Sequence, residues 1–547
     1  MRVNIDGKIL NIDKPTRVID LIDNKDKNIM CCSVNHSLRN LNYVITTDSF
    51  VELYDLNSSE GVKTYQASLR YIVAMACKNV LPKAKLTYSY SVSRSIFTSI
   101  SGLGHSFTYD NFNAIKEETD RLISLDLPIE HLMVSKDELL KVYEEFAYYD
   151  KIKFVEHETK EKYSLYKCND YYNYMFGPLV PSTGYIKLYE LKQYAPGFLI
   201  IYPRGECKGS LPQFEDEKTF RAALKEANRW ANISKTESIS RVNGMITEGS
   251  ALELINLCET RHNAQLTHLG DKIEDHIDNI KVICVAGPSS SGKTTFTNRL
   301  KIELKSRGIE PFMISMDDFY KDDNYPLDED GKPDYEHIDS LNLGLFDEII
   351  LKLVSKEEVS LPKFDFATHS TTFSDPIKLK DNQPILIEGI HGLNPNIMPS
   401  IPDEQKYRIY IAPLGQYRFD SHNPISISDI RLIRRMVRDH FFRSTDISKT
   451  INTWSSVRRG EFKWIYPYQN NADFVFNSEL TYEIPVLKKY AIPELKKVPK
   501  NSEAYMTASR LLKFLNFFND ISDKWVPTNS ILREFIGDSI FYTEDKI

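Results

Sequence analysis

The sequence lacks several features that mark specialised classes of protein. Its seven cysteines form no CxxC pair and no disulfide-type framework, and only Cys31 and Cys32 are neighbours, which favours a reducing compartment. No apolar run approaches the length of a membrane-spanning helix, and the first residues do not resemble a signal peptide. The formal net charge of -7 argues against a dedicated nucleic-acid coat. We therefore expect a soluble cytoplasmic protein without a membrane partner.

The chain is long enough for several packed domains. It has 547 residues, of which 41% are hydrophobic and 12% aromatic, and a single core rarely extends beyond about 250–300 residues. Short alternating strands around a helix near Val18–Leu21 predict a ubiquitin-like β-grasp domain over residues 1–58. Mixed helices and strands predict an α+β domain over 59–230, and a polar helical connector follows over 231–278. Residues 501–547 are predicted to form a C-terminal helical tail.

Residues 282–295 carry the strongest functional signal. An apolar strand leads into Gly287, four further residues, then Gly292, Lys293 and Thr294, which is a complete P-loop in its required setting. The glycines let the backbone wrap phosphate oxygens, Lys293 reaches the β/γ-phosphates and Thr294 holds Mg²⁺. We expect a bound nucleoside triphosphate. Its predicted contacts are Gly287, Ser289, Ser290, Ser291, Gly292, Lys293, Thr294 and Thr295.

Short buried strands alternate with helices over residues 279–500. The predicted strands are Val282–Ala286, Pro311–Met316, Pro384–Ile387, Tyr407–Ala412 and Ala472–Asn477. This alternation is typical of a parallel sheet covered by helices. The expected fold class is therefore α/β, a P-loop NTPase parallel sheet with flanking helices, preceded by the β-grasp and α+β domains.

Two carboxylates after predicted strands could complete a catalytic site. Asp317 follows a strand that we expect beside the P-loop strand, where it would accept a hydroxyl proton and help to hold Mg²⁺. Glu388 ends a buried strand in a Walker-B-like arrangement and would complete the metal shell. Each has a simpler alternative, which is helix N-capping for Asp317 and Asp318 and a strand-end turn for Glu388.

The segment from Asp429 to Asp439 places four arginines along one helical stripe. Arg431, Arg434, Arg435 and Arg438 follow the i, i+3, i+4, i+7 spacing. Like charges at this spacing repel each other, a cost that makes sense if polyphosphate lies opposite. We expect a lid that closes on phosphate, and the alternative is a solvated helix face.

Together these motifs resemble the uridine kinase family within the phosphoribulokinase/uridine kinase group. The resemblance covers about two fifths of the chain. Its motifs are Gly287–Thr295, Ser315–Tyr320, Asp334–Asp339, Leu361–His369, the Glu388-Gly-Ile turn and Arg431–Asp439. It implies an ATP- or GTP-dependent kinase with Mg²⁺ that phosphorylates the 5′-hydroxyl of a pyrimidine ribonucleoside, giving UMP or CMP in pyrimidine salvage. Asp317 would be the catalytic base, with Lys293 as its catalytic partner on the phosphate.

The resemblance also implies a nucleoside pocket. Glu336, which replaces a shorter acidic residue of the family, would hold the ribose hydroxyls, and His369 would contact the base. Phe364 stands where the family usually has Tyr, which alters base selectivity. Without the family, His369 could equally be a core histidine. The implied substrate contacts are Tyr320, Glu336, His337, Phe364, Phe366, His369 and Arg431, and the implied phosphate-binding arginines are Arg434, Arg438 and Arg443.

The N-terminal half resembles a TGS domain followed by the second additional domain of threonyl-tRNA synthetases. The similar segments are Val51–Gly61, Asp126–Glu130 and Gly177–Thr183. The editing-site positions of that family hold Ala67, Tyr71, Met175 and Leu179, and none of these can bind metal or transfer the proton as the original residues do. Editing is predicted to be absent. The half could contact RNA, bind a small regulator or support a homo-oligomer.

Two alternatives to a pyrimidine nucleoside kinase remain open at this point. One is a related kinase that acts on a sugar phosphate or pantothenate. The aromatic residues and histidine at 364–369 argue against it, because they suit a flat base. The other is an RNA-binding regulatory protein that uses the P-loop as a nucleotide sensor.

Overall fold

A computed structural model describes residues 1–156, 160–328, 331–366, 368–415 and 417–541. Its N-terminal strands are β1 (Arg2–Ile5), β2 (Lys8–Asn11), β3 (Thr16–Arg17), β4 (Cys31–Val34), β5 (Ser37–Arg39), β6 (Val44–Ile45) and β7 (Ser49–Tyr54). Five of them form a sheet in the order β2-β1-β7-β4-β5, with β1 parallel to β7. The helix predicted near Val18 is a single 3₁₀ turn. This mixed sheet agrees with the predicted β-grasp.

The second unit combines helices with two antiparallel sheets. Its helices are α1 (Ser59–Val80), α2 (Tyr109–Ser124), α3 (Lys136–Glu145) and α4 (Tyr149–Glu156). Its strands are β8 (Lys85–Val92), β9 (Ser95–Ser101), β10 (Glu130–Val134), β11 (Tyr163–Cys168), β12 (Tyr171–Asn173), β13 (Glu190–Tyr194) and β14 (Gly197–Ile201). The sheets run β13-β14-β9-β8 and β10-β11-β12. Ser58, Thr108 and Ser135 begin the first three helices by accepting backbone N–H bonds with their side chains.

Three helices link this unit to the P-loop strand. They are α5 (Lys218–Ile233), α6 (Ile239–Thr247) and α7 (Ala251–Glu274). The helical connector therefore begins earlier than the predicted residue 231. Leu224 of α5 lies in an apolar cluster with Phe97 of the second unit and Tyr410 of the following domain. The connector thus packs the two halves against each other.

A five-stranded parallel sheet organises the C-terminal half. Its strands are β15 (Val282–Ala286), β16 (Phe312–Ser315), β19 (Ile385–Glu388), β20 (Lys406–Ala412) and β23 (Phe474–Asn477), and two hairpins add β17 (Pro362–Asp365), β18 (Ser370–Phe373), β21 (Arg418–Asp420) and β22 (Asn423–Pro424). The sheet order is β16-β19-β15-β20-β23, and every pairing is parallel. All five predicted strands are confirmed, and the P-loop follows the central one.

Helices cover this sheet on both faces. They are α8 (Lys293–Ser306), α9 (Leu343–Val354), α10 (Ile427–Arg443), α11 (Ile447–Trp464) and α12 (Glu483–Leu495). The tail adds α13 (Tyr505–Leu515) and the single turn α14 (Arg533–Ile536). Most strand residues are apolar and buried because helices cover both sides of the sheet. The α/β fold class is confirmed. Among the described residues, none of the helices combines the length and the apolar character needed to cross a bilayer.

Candidate active site

The P-loop joins the carboxyl end of β15 to the first turn of α8. Gly292 has a φ of +89°, a left-handed conformation that glycine adopts without strain. Lys293 donates hydrogen bonds to the carbonyls of Gly287 and Pro288, at 3.0 and 3.3 Å. Burial lowers the pKa of Lys293, and the charges of Glu388 and Asp317 oppose that shift. These bonds hold the Lys293 ammonium group against the P-loop, where it is predicted to bind phosphate.

Thr294 and Glu388 meet at the predicted metal position. The Thr294 hydroxyl donates to the Glu388 carboxylate at 2.6 Å. Burial raises the pKa of Glu388 to about 7, although the hydrogen bond from Thr294 and the charge of Lys293 lower it. The simple strand-end turn considered for Glu388 does not describe this contact, because the side chain faces the P-loop.

Asp317 lies in the same cleft as Lys293, and the charges of the two side chains interact. It lies in a 3₁₀ turn whose cap is Ser315, since the Ser315 side chain accepts the bond from the Asp317 amide. Capping by Asp317 itself is therefore wrong. The expectation that its strand adjoins the P-loop strand is also wrong, because β19 lies between β16 and β15. The sheet register nevertheless pairs Ser315 with Glu388, and the carboxyl ends of parallel strands share one edge.

Positive charge surrounds Asp317 and Glu336. Burial raises the pKa of Asp317, while Lys293, Arg443 and Arg438 oppose the shift. Burial likewise raises the pKa of Glu336, opposed by Arg435 and Lys293. Both carboxylates thus share Lys293 as a counter-charge. The structure brings the predicted base and the predicted ribose-binding residue together.

An aromatic group forms one wall of the cleft. Tyr320 lies 5.8 Å from Phe364 and 5.4 Å from Phe366, measured between ring centroids. His369 lies 6.2 Å from Phe364 and is exposed with a φ of +51°. A buried core histidine is therefore excluded for this residue. Phe364 and His369 lie on either side of the tip of the β17–β18 hairpin. Phe364 contacts Tyr320, the residue that follows the turn of Asp317, so the hairpin lies beside that turn.

His337 lies apart from this wall. Its ring packs edge-on against Trp464 at 4.4 Å between centroids, and its Nδ1 accepts a hydrogen bond from the Asp339 amide. These contacts anchor the turn that follows Glu336. A substrate contact by His337 stays a prediction.

The structure gives Arg431 and Arg434 a different place from the predicted one. Arg431 pairs with Glu461 and donates to the Ser289 carbonyl at 2.9 Å. Arg434 donates to Glu483 at 2.8 Å and to the Ser290 carbonyl at 3.3 Å. Both guanidinium groups are fully buried. They support the P-loop from beneath, so neither the predicted phosphate contact of Arg434 nor the predicted substrate contact of Arg431 agrees with their position.

The remaining arginines of this helix gather around Asp439. Its carboxylate pairs with Arg435 at 3.2 Å, Arg438 at 2.9 Å and Arg443 at 3.7 Å. Arg435 also donates to the Ser289 hydroxyl at 2.7 Å. The sequence predicts Arg435 on the stripe, but it does not reveal this contact with the P-loop. Arg435 and Arg438 of the stripe, together with Arg443, therefore add to the positive charge that Lys293 brings to the cleft.

Two further carboxylates contact the P-loop, and neither belongs to a sequence motif that predicts this contact. Glu461 Oε1 accepts a hydrogen bond from the Ser289 amide at 3.2 Å. Glu534, in α14 of the tail, accepts one from the Thr295 amide at 3.1 Å. Both are far from the loop in sequence, and only the tertiary packing of α11 and α14 brings them there.

The residues present fit a magnesium ion. Mg²⁺ takes oxygen ligands and usually keeps several waters, so one or two protein side chains plus substrate phosphates suffice. The Thr294 hydroxyl and the Glu388 carboxylate provide such a pair. Within the described part of the chain, no group of three or more His, Cys, Asp or Glu side chains is arranged to hold a metal ion. A protein-only metal cage is thus not found there.

The four residues that the sequence predicts at the positions of a synthetase editing site are packed in the interior of the N-terminal half. Ala67, Tyr71, Met175 and Leu179 are all buried, and the Tyr71 hydroxyl donates to the Tyr171 carbonyl. The β21–β22 hairpin of the C-terminal half lies close by. Its contacts with the N-terminal half include Lys151 to Asp420, Asp150 to Ser421, Arg70 to the His422 carbonyl, Asn173 to His422 and Phe176 to Asn423.

Comparisons with known proteins distinguish the C-terminal half, which contains the P-loop, from the N-terminal half. Residues 282–485 match the sequence profile of the Phosphoribulokinase / Uridine kinase family. A possible uridine kinase from Bacillus stearothermophilus shows 20% identity and a TM-score of 0.25 over 38% of this chain and 99% of its own.

The N-terminal half is similar to threonine–tRNA ligases. The ligase of Carboxydothermus hydrogenoformans is 29% identical over 188 residues, which cover 34% of this chain and 29% of the relative. That of Thermoplasma volcanium is 27% identical over 219 residues, which cover 39% and 32%. The chain thus spans about a third of the length of these curated relatives. Residues 282–485 thus form a P-loop domain that is similar to the Phosphoribulokinase / Uridine kinase family, and a half that is similar to threonine–tRNA ligases precedes it.

Proposed function

We propose that the protein is a nucleoside kinase that transfers the γ-phosphate of ATP, or of GTP, to the 5′-hydroxyl of a pyrimidine ribonucleoside. One observation carries the proposal. Asp317 and Glu336 share a cleft with Lys293, and the aromatic hairpin around Phe364 and His369 forms its wall. A base at the acceptor, a carboxylate for the sugar and a flat apolar wall suit a nucleoside better than a sugar phosphate.

The roles of the residues follow from their surroundings. Lys293 and the loop amides would hold the donor phosphates. Thr294 and Glu388 would hold Mg²⁺, which when bound neutralises charge on the phosphates. Asp317 would accept the proton of the acceptor hydroxyl, and its raised pKa makes it a better base than an ordinary carboxylate. Arg435, Arg438 and Arg443 would balance the negative charge that accumulates during transfer.

Base selectivity is proposed to depend on the hairpin. Phe364 offers only an apolar face, so it cannot read a base edge by hydrogen bonding. His369 is exposed at the tip of the same hairpin and has donor and acceptor nitrogens for that purpose. An RNA contact of the N-terminal half stays a prediction.

The decisive test is a panel of acceptors assayed with ATP and Mg²⁺. Uridine, cytidine, purine nucleosides, ribulose 5-phosphate and pantothenate would be compared by ADP release and by mass spectrometry of the product. We expect a pyrimidine ribonucleoside to give the highest kcat/KM and a 5′-monophosphate product. Phosphorylation of a non-nucleoside alone would reject the proposal. ATP binding without turnover on any acceptor would favour a nucleotide sensor instead.

A further inference from the structure

The C-terminal segment, residues 505–541, runs from the N-terminal half to the P-loop. Arg510 of α13 pairs with Asp429 in the first turn of α10. Phe517 packs against Phe154 at 5.1 Å and against Phe176 at 6.3 Å between ring centroids. The segment therefore contacts the ligase-like half before it turns back to the kinase domain. It lies beyond the residues that match the kinase family.

The far end of this segment lies on the P-loop. Glu534 Oε2 accepts the hydrogen bond of the Thr295 amide at 3.1 Å. The side chain of Ile531 covers Gly292 so closely that a Cβ at that glycine would clash with it. Phe535 stacks under the Arg434 guanidinium, 5.2 Å from its centre to the ring centroid. One short turn thus covers the loop with an apolar residue, an aromatic ring and a carboxylate.

The Glu534 carboxylate and a nucleotide phosphate are both anionic acceptors, so they would compete for the Thr295 amide. The amides at the start of a P-loop helix cradle the α- and β-phosphates of a nucleotide. One N–H donates a full hydrogen bond to one anion, and two anions at the same amide repel each other. Glu534 also interacts electrostatically with Lys293 and Glu388. A bound nucleotide and Glu534 at its observed position therefore demand the same amide.

We propose that the C-terminal segment is an autoinhibitory arm, in which Glu534 occupies a phosphate position of the P-loop and must withdraw before a nucleoside triphosphate binds fully. The inference rests on the proposed function only in that the P-loop binds a triphosphate. Because Phe517 anchors the same segment on Phe154 and Phe176, a change in the ligase-like half would reach the phosphate loop through it.

Titration of the full-length protein with MgATP tests the arm. Isothermal calorimetry without any acceptor would compare the wild type with Glu534→Ala, which removes both the charge and the acceptor oxygens. A carboxylate–amide bond is among the stronger hydrogen bonds of a protein, so we expect the Kd for ATP to fall about tenfold. Glu534→Gln keeps an acceptor oxygen without the charge and should give an intermediate Kd. Should the alanine variant fail to fold, the glutamine variant alone decides.

The matched control is Glu503→Gln, which neutralises an exposed carboxylate just ahead of the same segment. Its Kd for ATP should equal that of the wild type. An unchanged or higher Kd in both Glu534 variants would overturn the proposal, as would a decrease of equal size in the control. Since the measurement needs no acceptor, it is independent of which molecule the enzyme phosphorylates. A failed acceptor panel therefore leaves this result intact.

Discussion

The Thr294 hydroxyl and the Glu388 carboxylate are joined by a hydrogen bond of 2.6 Å. The bond unites the P-loop with the end of β19, two segments almost a hundred residues apart. It places a metal-binding hydroxyl beside a carboxylate that burial holds partly protonated near neutral pH, since the pKa of Glu388 is raised to about 7. Metal binding and protonation therefore compete for one group.

Glu388→Gln should stabilise the metal-free protein above pH 7. The folded-state pKa of about 7 exceeds the ordinary value of 4.5, so the folded state binds more protons between these values and stability falls as the pH rises through them. Glutamine does not ionise, so the variant does not lose this free energy of unfolding. The loss in the wild type amounts to about 3 kcal/mol at about 1.4 kcal/mol per pKa unit. Thermal melting in EDTA at pH 4.5 and pH 8 would measure it. Equal melting temperatures of the two proteins at pH 8 would contradict the assignment.

Asp317→Asn should slow phosphoryl transfer by orders of magnitude and spare ATP binding. Loss of a general base lowers kcat by about 10²–10⁴-fold, whereas the donor phosphates are proposed to bind Lys293 and the loop amides instead. In the wild type, kcat should fall as the pH drops through the raised pKa of Asp317. Stopped assays across pH, with calorimetry of ATP binding as the control, would measure both. Retained turnover in the variant would remove Asp317 from its role.

Glu461→Ala should destabilise the kinase half by about 3–5 kcal/mol, because it leaves the buried Arg431 guanidinium without its partner. Three of the four tryptophans, Trp454, Trp464 and Trp525, lie in this half, and their fluorescence during urea unfolding reports on it. The double variant Arg431→Met/Glu461→Leu should recover most of the stability. A loss equal to that of the single variant would argue against the ion pair as its cause.

Phe364→Tyr should sharpen base selectivity. Phe364 is 6% exposed and faces the cleft beside Tyr320, so a new hydroxyl there could bond a base edge. A site that hydrogen-bonds its substrate rejects analogues that lack the group. We expect the kcat/KM ratio between uridine and cytidine to change by about tenfold, the size of a single hydrogen bond. Phe366→Tyr is the matched control, because Phe366 is 53% exposed and its hydroxyl would stay in water. An unchanged uridine-to-cytidine ratio of kcat/KM in Phe364→Tyr would show that Phe364 does not take part in base recognition.

The parallel sheet and the centre of the site could be predicted because their signals are local. A buried strand before a P-loop and a carboxylate after a strand each depend on a few consecutive residues. The strands of a parallel sheet end at one edge, so Thr294, Asp317 and Glu388 were expected to meet. Strand order was not available from this pattern, which is why β19 was not expected between β16 and β15.

The surroundings of the phosphate could not be predicted because they depend on distant partners. Helical spacing places Arg431 and Arg434 on one stripe with Arg438, yet it does not reveal that Glu461 and Glu483 lie opposite the first two. Glu534 carries no motif, and its contact with the Thr295 amide exists only because α14 packs against α8 and α10. Long-range packing, rather than local sequence, decided these roles.

The β21–β22 hairpin determines how the protein can be dissected. A fragment that begins at residue 279 would keep the whole parallel sheet, yet Asp420 would lose Lys151 and the Phe419 ring would lose Phe154. A fragment that ends before residue 279 would deprive Lys151 of the Asp420 carboxylate and Arg70 of the His422 carbonyl. Each fragment would expose a surface built to be covered, so a cut between the two sequence similarities is not a cut between two independent proteins.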